Sequence, residues 1–496
     1  MFELFEAIPS LFSLQILVPW LLAMVFGVFV GSTPGLTATM AVALIVPFSY
    51  QLDKEAALAM VIGVSFTAIF AGDIPATFLR IPGTPASAAA TLDAHELAKK
   101  GHGRQALLVN LLCSALGGVG GVILLIYISP ALAKVAVGFG AFDYFWLCLL
   151  GLILGVSVSS GRRPTLGLLA ASLGFAFALI GRDPLTNQER FTFGFSALEE
   201  GVSFIPAMIG LFGMSEVFRA VDRIEARQPD RITAGPFRPI RSLGIVLRNF
   251  PTFLQSLLTG TLVGALPGAG ADVAAWGAYG ISEKTSPKES DNFGKGEWKG
   301  VIAPTSANNA AVAAAWIPAL VFGIPGDAVT AIVLGVFLVY DITPGVELFS
   351  SGQGSFIFAI ALVTQLLLIP AGLLGIQFFS QLVRLPRGMV LTSVVVFSVV
   401  GAFAMNNSMV DVWVMLAFGL LGLRLENAKV PLAPLILGMI LGPKVEVYLR
   451  QGLIAANGDV SAIVASTVSM VMSIMFILTV LLTLSRQLVR KKDEVI

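Results

Sequence analysis

Ile74–Gly83 reads IPATFLRIPG, and 243 positions later Ile317–Gly326 reads IPALVFGIPG. Each copy carries two prolines seven residues apart in strongly apolar surroundings. A second pair precedes them in the same order, Gly27-x3-Gly31-x2-Pro34-Gly35 and Gly260-x3-Gly264-x2-Pro267-Gly268. Two motifs recurring in one order are an internal duplication, and that decides how everything between them is read. Proline removes an N–H and clashes with the preceding helical turn, while glycine admits backbone conformations closed to other residues. The spacing therefore predicts helices broken or reversed at Gly31, Pro75, Pro82 and Gly83, and again at Gly264, Pro318, Pro325 and Gly326.

The chain around these motifs has 496 residues, is 56% hydrophobic and only 12% charged. A soluble domain carries roughly 25% charged residues. No charge occurs from Ala7 to Leu52, and further uncharged runs cover 105–133, 144–161, 249–271, 300–326, 348–383, 388–410 and 460–485. A helix crosses the hydrocarbon in about 20 apolar residues, so many of these runs are long enough to span. The expected fold class is an all-α polytopic membrane protein with roughly 12 or more transmembrane segments at that length per span. Broken backbone at membrane depth survives only when protein shields it or when it lines a wet cavity. The net charge of +1 gives no support to nucleic-acid binding. Cys113 and Cys148 sit in apolar runs and read as small packing residues. The acidic start MFELFEAIPS lacks the basic region of a cleavable signal, so the first apolar stretch is expected to be retained.

Residues 1–218 read as a first membrane repeat, 219–249 as an arginine-rich cytoplasmic linker, 250–485 as a second repeat and 486–496 as a basic cytoplasmic tail. The linker from Arg219 to Arg248 holds seven arginines against three acids. Basic loops prefer the cytoplasm, which places Lys99, Lys100, Arg104, Arg162, Arg163, the linker and the tail inside. The acidic start then lies outside, and the repeats enter the membrane from opposite faces as an inverted pair. The segment 92–104 reads as a polar amphipathic piece, and 431–441 as a short apolar segment.

Inverted repeats with discontinuous helices place solute near the midplane, where half-helix N-termini meet an anion. Free N–H groups and a partial positive charge make each such end an anion site. Ser32, Thr33, Pro34 and Gly35 at the first Pro-Gly, Pro267 and Gly268 at the second, and Asn308-Asn309 ahead of the second IPA motif are the candidate substrate-binding residues. Hydroxyls and amides bind carboxylate oxygens without a full charge; helix–helix hydrogen bonding, worth about 0.6–2 kcal/mol each, is the alternative for any one of them. Asp73, Asp272, Asp327 and Thr305 are the candidate cation-coupling groups. A charge at bilayer centre costs several kcal/mol and is usually functional or paired. Asp73 and Arg80, two turns apart, could instead form a structural ion pair. No metal cluster, nucleophile–base set or phosphate loop is expected: His95-Glu96 is followed by lysines, and His102 is the only other histidine. The chain therefore reads as no enzyme and needs no cofactor, only Na⁺ or H⁺ as coupling ion. A passive anion channel is the alternative.

The glycine–proline pair in both halves, with PTSANNAAVAAAWIPALVFGIPGD at 304–327, resembles the large membrane subunit of tripartite tricarboxylate transporters, the TctA family. The resemblance covers essentially the whole chain. It implies a multi-pass protein of the bacterial inner membrane that imports di- or tricarboxylates or other organic acids with Na⁺ or H⁺. It also implies a small membrane subunit (TctB-like) and a periplasmic substrate-binding protein (TctC-like) as partners. The family's glycine–proline motifs fall on Gly27, Gly31, Pro34 and Gly35, and on Gly260, Gly264, Pro267 and Gly268.

Overall fold

A computed structural model of the chain describes residues 8–33, 36–160, 163–221, 235–382 and 387–493. Pro34 and Gly35 lie outside the described residues, as do 222–234 of the linker. Apolar runs bounded by Pro, Gly and polar residues become helices throughout. In the first half these are α1 (Leu14–Gly31), α2 (Ala38–Ser49), α3 (Lys54–Ala71), α4 (Asp73–Leu79), α5 (Ser87–Leu97), α6 (Gly103–Ala136), α7 (Ala141–Ser159) and α8 (Pro164–Ala178). A two-residue hairpin, β1 (Gly181–Arg182) with β2 (Glu189–Arg190), precedes α9 (Phe204–Met208) and α10 (Ser215–Val221). The second half holds α11 (Pro239–Arg248), α12 (Phe250–Gly264), α13 (Gly270–Thr285), α14 (Trp298–Phe322), α15 (Ala328–Val339), α16 (Val346–Ser350) and α17 (Gln353–Leu382). It closes with α18 (Arg387–Asn406), α19 (Met409–Asn427), α20 (Leu432–Ala455) and α21 (Thr467–Asp493).

Five helical stretches among the described residues are long and apolar enough to cross a membrane: Leu14–Gly31, Lys54–Leu79, Ser87–Ala136, Gln353–Phe378 and Leu432–Ala455. Six apolar helices are shorter, among them Ala38–Ser49 and Ala328–Val339. The chain is thus an all-α membrane protein. Its outer surface is apolar, with Leu14, Leu262, Leu338 and Trp413 each at least 65% exposed. So large an exposed apolar surface fits lipid contact rather than water. The interior is packed by Trp20, Phe66, Phe70 and Phe337, all fully buried.

The prolines of the repeated motif act differently from expectation. Pro75 sits in the first turn of α4, where its missing N–H has no intrahelical acceptor to lose. The interruption falls one turn earlier, at Gly72, between α3 and α4. Pro318 lies inside α14, which continues unbroken to Phe322. Pro82 and Pro325 lie beyond the ends of α4 and α14, in the segments that turn back toward the interior. The 92–104 stretch has two faces, with Asp93, His95 and Leu97 buried and Lys99, Lys100 and Arg104 exposed. One further expectation is corrected. The 431–441 segment extends to Ala455 and carries Lys444, Glu446 and Arg450 along the helix.

Candidate functional site

The glycines of the first motif set how closely the helices approach. Gly31, the last residue of α1, faces the Ala68 carbonyl of α3, and Gly264, the last of α12, faces the Ala311 carbonyl of α14. Gly27 against Val64 and Gly260 against Ala307 repeat the arrangement one turn earlier. Ala68 and Ala311, like Val64 and Ala307, are 243 positions apart, the interval between the IPA motifs. In all four places a Cβ would collide with the facing helix, so no other residue type allows this approach.

The second motif builds the return. After α4 the backbone turns left-handed at Arg80 (φ 56°), and after α14 at its counterpart Gly323 (φ 63°). The Gly83 N–H then donates to the Gly72 carbonyl at 3.0 Å. Gly326 likewise packs against Ala315, the counterpart of Gly72. Each return ends by starting a short helix. The hydroxyls of Thr84 and Ser87 pair at 2.7 Å where α5 begins. Asp327 and Thr330, 243 positions on, form a capping box where α15 begins, with the Thr330 N–H donating to Asp327 Oδ1 at 2.8 Å. His95 Nδ1 lies 3.0 Å from the Thr77 carbonyl, so α5 runs back beside α4.

The far ends of these short helices meet the opposite half. Gly296 and Glu297 N–H groups donate to Asp93 Oδ1 at 2.8 and 2.7 Å, and Lys100 Nζ donates to the Lys295 carbonyl at 2.5 Å. The end of α5 is therefore held to the loop between α13 and α14. The Tyr340 hydroxyl lies 2.6 Å from the Ser49 carbonyl and 2.9 Å from that of Leu52. The end of α15 is therefore held to the loop between α2 and α3.

The inner ends converge. Gly268, left-handed at φ 78°, donates its N–H to the Gly326 carbonyl at 2.7 Å. Its Cα lies against Gly155 of α7, leaving no room for a side chain. Asp272, in the first turn of α13, faces both Asp327 and the backbone of Ala86. The first turns of α5, α13 and α15 thus come together. Their positive ends are already answered by the chain's own carboxylates, Asp327 capping α15 and Asp272 reaching Ala86. Asp272 is exposed and Asp327 half-buried.

Asp73 lies behind this junction. It is 1% exposed, and neither carboxylate oxygen has a hydrogen-bond partner. Ser87 of α5, Asn110 of α6 and Asn308 of α14 are its polar neighbours. Arg80 is exposed, and among the described residues no ion pair joins it to Asp73. Asn309 donates to the Ser114 carbonyl of α6 at 3.3 Å, the helix–helix bond weighed as its alternative role. Asn308 and Asn309 are fully buried in the α6–α14 seam rather than lining an open cleft.

The Ser32 and Thr33 hydroxyls both donate to the Phe29 carbonyl, at 3.1 and 2.8 Å, and Thr305 donates to Val301 at 2.7 Å. With their protons so placed, these oxygens can only accept a hydrogen bond or ligate a cation. Sequence reading missed Asn110, Ser87 and Lys444. Asn110 is a lone amide in an apolar run. Lys444 fell beyond the segment end, yet its Nζ donates to the Gly323 carbonyl at 2.8 Å and so caps the end of α14.

A family profile described as tripartite tricarboxylate transporter TctA family matches residues 17–437. An Agrobacterium vitis protein described as an uncharacterized 52.8 kDa protein in the TAR-I ttuC' 3' region is 32% identical over 476 residues, covering 95% of this chain and 93% of its own. A second from the same organism, an uncharacterized protein in the TAR-II ttuC' 3' region, is 34% identical over 238 residues, covering 48% of this chain and 98% of its own. No solved structure gives a significant match.

Proposed function

The chain belongs to the tripartite tricarboxylate transporter TctA family, and from that premise we propose that it imports an organic di- or tricarboxylate across the bacterial inner membrane in symport with a cation. Membership makes it the membrane subunit of a tripartite system. The small membrane subunit and the periplasmic binding protein are its proposed partners, the latter delivering substrate.

One observation carries the reading: the broken junctions of both halves meet inside the chain, through Gly268 with Gly326 and through Asp272 with Asp327 and Ala86. Each half's short helix also ends on the other half's hairpin loop, α5 on 286–297 and α15 on 50–53. That exchange supports two oppositely oriented copies, 1–218 and 250–485, related by a twofold axis in the membrane plane. Substrate would enter where the first turns of α5, α13 and α15 come together, beside Pro267–Gly268. Because Asp272 and Asp327 sit there, an incoming carboxylate needs a cation beside it, which couples the two solutes by charge.

Reconstitution into liposomes with both partners tests this. The expected result is concentrative uptake of labelled carboxylate only when a Na⁺ or proton gradient is imposed. Equilibrating flux without partners, indifferent to any gradient, would refute symport and indicate a passive channel.

A further inference from the structure

The polar group behind the junction has a chemistry of its own. Asp73, Asn110 and Asn308 are each at most 1% exposed, and Ser87 is fully buried. No hydrogen bond of normal geometry reaches either oxygen of Asp73 or the oxygen and nitrogen of either asparagine, although Asn110, Ser87 and Asn308 stand next to the carboxylate. Buried polar atoms are nearly always satisfied, and an unpaired one costs roughly 1–3 kcal/mol. Six such atoms, two on the carboxylate and four on the amides beside it, are therefore unlike ordinary packing.

The four residues come from four elements: the first turn of α4, the first turn of α5, the third turn of α6 and the middle of α14. Three belong to the first half and one to the second. We infer that Asp73, Ser87, Asn110 and Asn308 form a dehydrated site for a single Na⁺ ion at the seam between the two halves. This rests on the reading of the chain as a cation-coupled carrier and assigns its ion and its place.

The donor set favours a metal cation over a proton. A proton on Asp73 makes one O–H donor, which can satisfy one amide oxygen and leaves the other as it was. A cation engages the carboxylate, both amide carbonyls and the Ser87 oxygen together, all hard oxygen ligands. Charge selects the valence. One carboxylate and Na⁺ sum to zero, whereas a divalent ion would leave a net positive charge in a dry interior.

Among the described residues, only one such site exists in the duplicated frame. The counterpart of Asp73, 243 positions on, is Trp316, and the counterpart of Asn308, 243 positions back, is Ser65. Trp316 offers an N–H and no acceptor, and the Ser65 hydroxyl donates within its own helix to Val61 at 2.7 Å. The second half cannot complete a mirror site.

Titration of the purified full chain with NaCl, at ionic strength held by choline chloride, tests the inference. The wild type should bind one Na⁺ per chain, uncompeted by equal K⁺ or Ca²⁺. Asp73→Asn and Asn308→Ala should each weaken Na⁺ by about tenfold or more, the scale for disturbing a metal's ligand shell. Glu347→Gln, exposed on the short helix α16, should leave it unchanged. Should Asp73→Asn fail to fold, Asn110→Ser and Asn308→Ser carry the same test. Two ions per chain, or unchanged affinity in the folded seam variants, would overturn the site. Gradient-driven carboxylate uptake by a chain that binds no Na⁺ overturns this site and leaves the proposed function standing. Na⁺ bound through Asp73 with no uptake under any gradient does the reverse.

Discussion

At the scale of single residues, the contrast among glycines is testable. Gly264 and Gly31 abut a facing carbonyl, whereas Gly244 on α11 has open space around its Cα. Gly264→Ala should lower thermal stability by about 1–3 kcal/mol, the usual penalty for overpacking. Gly244→Ala should instead raise it by about 0.5–1 kcal/mol, the helix-propensity gain. Equal shifts in the two melting curves would refute the packing account. Gly268→Leu, at a left-handed position against Gly155, should fail to fold rather than report on transport. Asp327→Ala removes the cap of α15 and should destabilise by about 1 kcal/mol in the same assay. The motif glycines were legible in the sequence because an invariant spacing of two small residues points to close approach. Asn110 was not, because a lone amide in an apolar helix gains meaning only from what faces it across the seam.

At the scale of elements, α14 is held at its end by another helix. Lys444 of α20 donates to the Gly323 carbonyl, exposing no free cation to the surrounding lipid. Lys444→Met keeps the length of the side chain and removes the bond. It should preserve insertion and lower the uptake rate several-fold, since a hydrogen bond to a charged donor is worth about 1.5–3 kcal/mol. Unaltered uptake would leave Lys444 with a packing role alone. The helix order was largely readable from uncharged runs and the Pro-Gly boundaries. The sense of the prolines was not: Pro75 and Pro318 share a motif position, but Gly72 precedes one and Ala315 the other. Glycine lets the first copy break into α3 and α4, while alanine, the best helix former, carries α14 straight through.

At the scale of the whole molecule, the proposed inverted repeats divide the loops between two sides. The 286–297 loop precedes α14, and the far end of α14 is tied to α20, whose C-terminus leads into the loop after Ala455. Lys288 and Asp459 are both exposed, and the proposed inverted arrangement puts them on opposite faces of the membrane. Single-cysteine reporters there (Lys288→Cys and Asp459→Cys) in intact cells should react differently with an impermeant maleimide. Asp459→Cys should label directly, and Lys288→Cys only after permeabilisation, as basic loops are retained inside. Labelling of both from outside would dismantle the inverted arrangement. The glycine contacts between α1 and α3, and between α12 and α14, bear on how such a carrier could work. Gly31 and Gly264 bring each short helix to the backbone of its long partner, and any exchange of access from one face to the other would carry each such pair as a single rigid body.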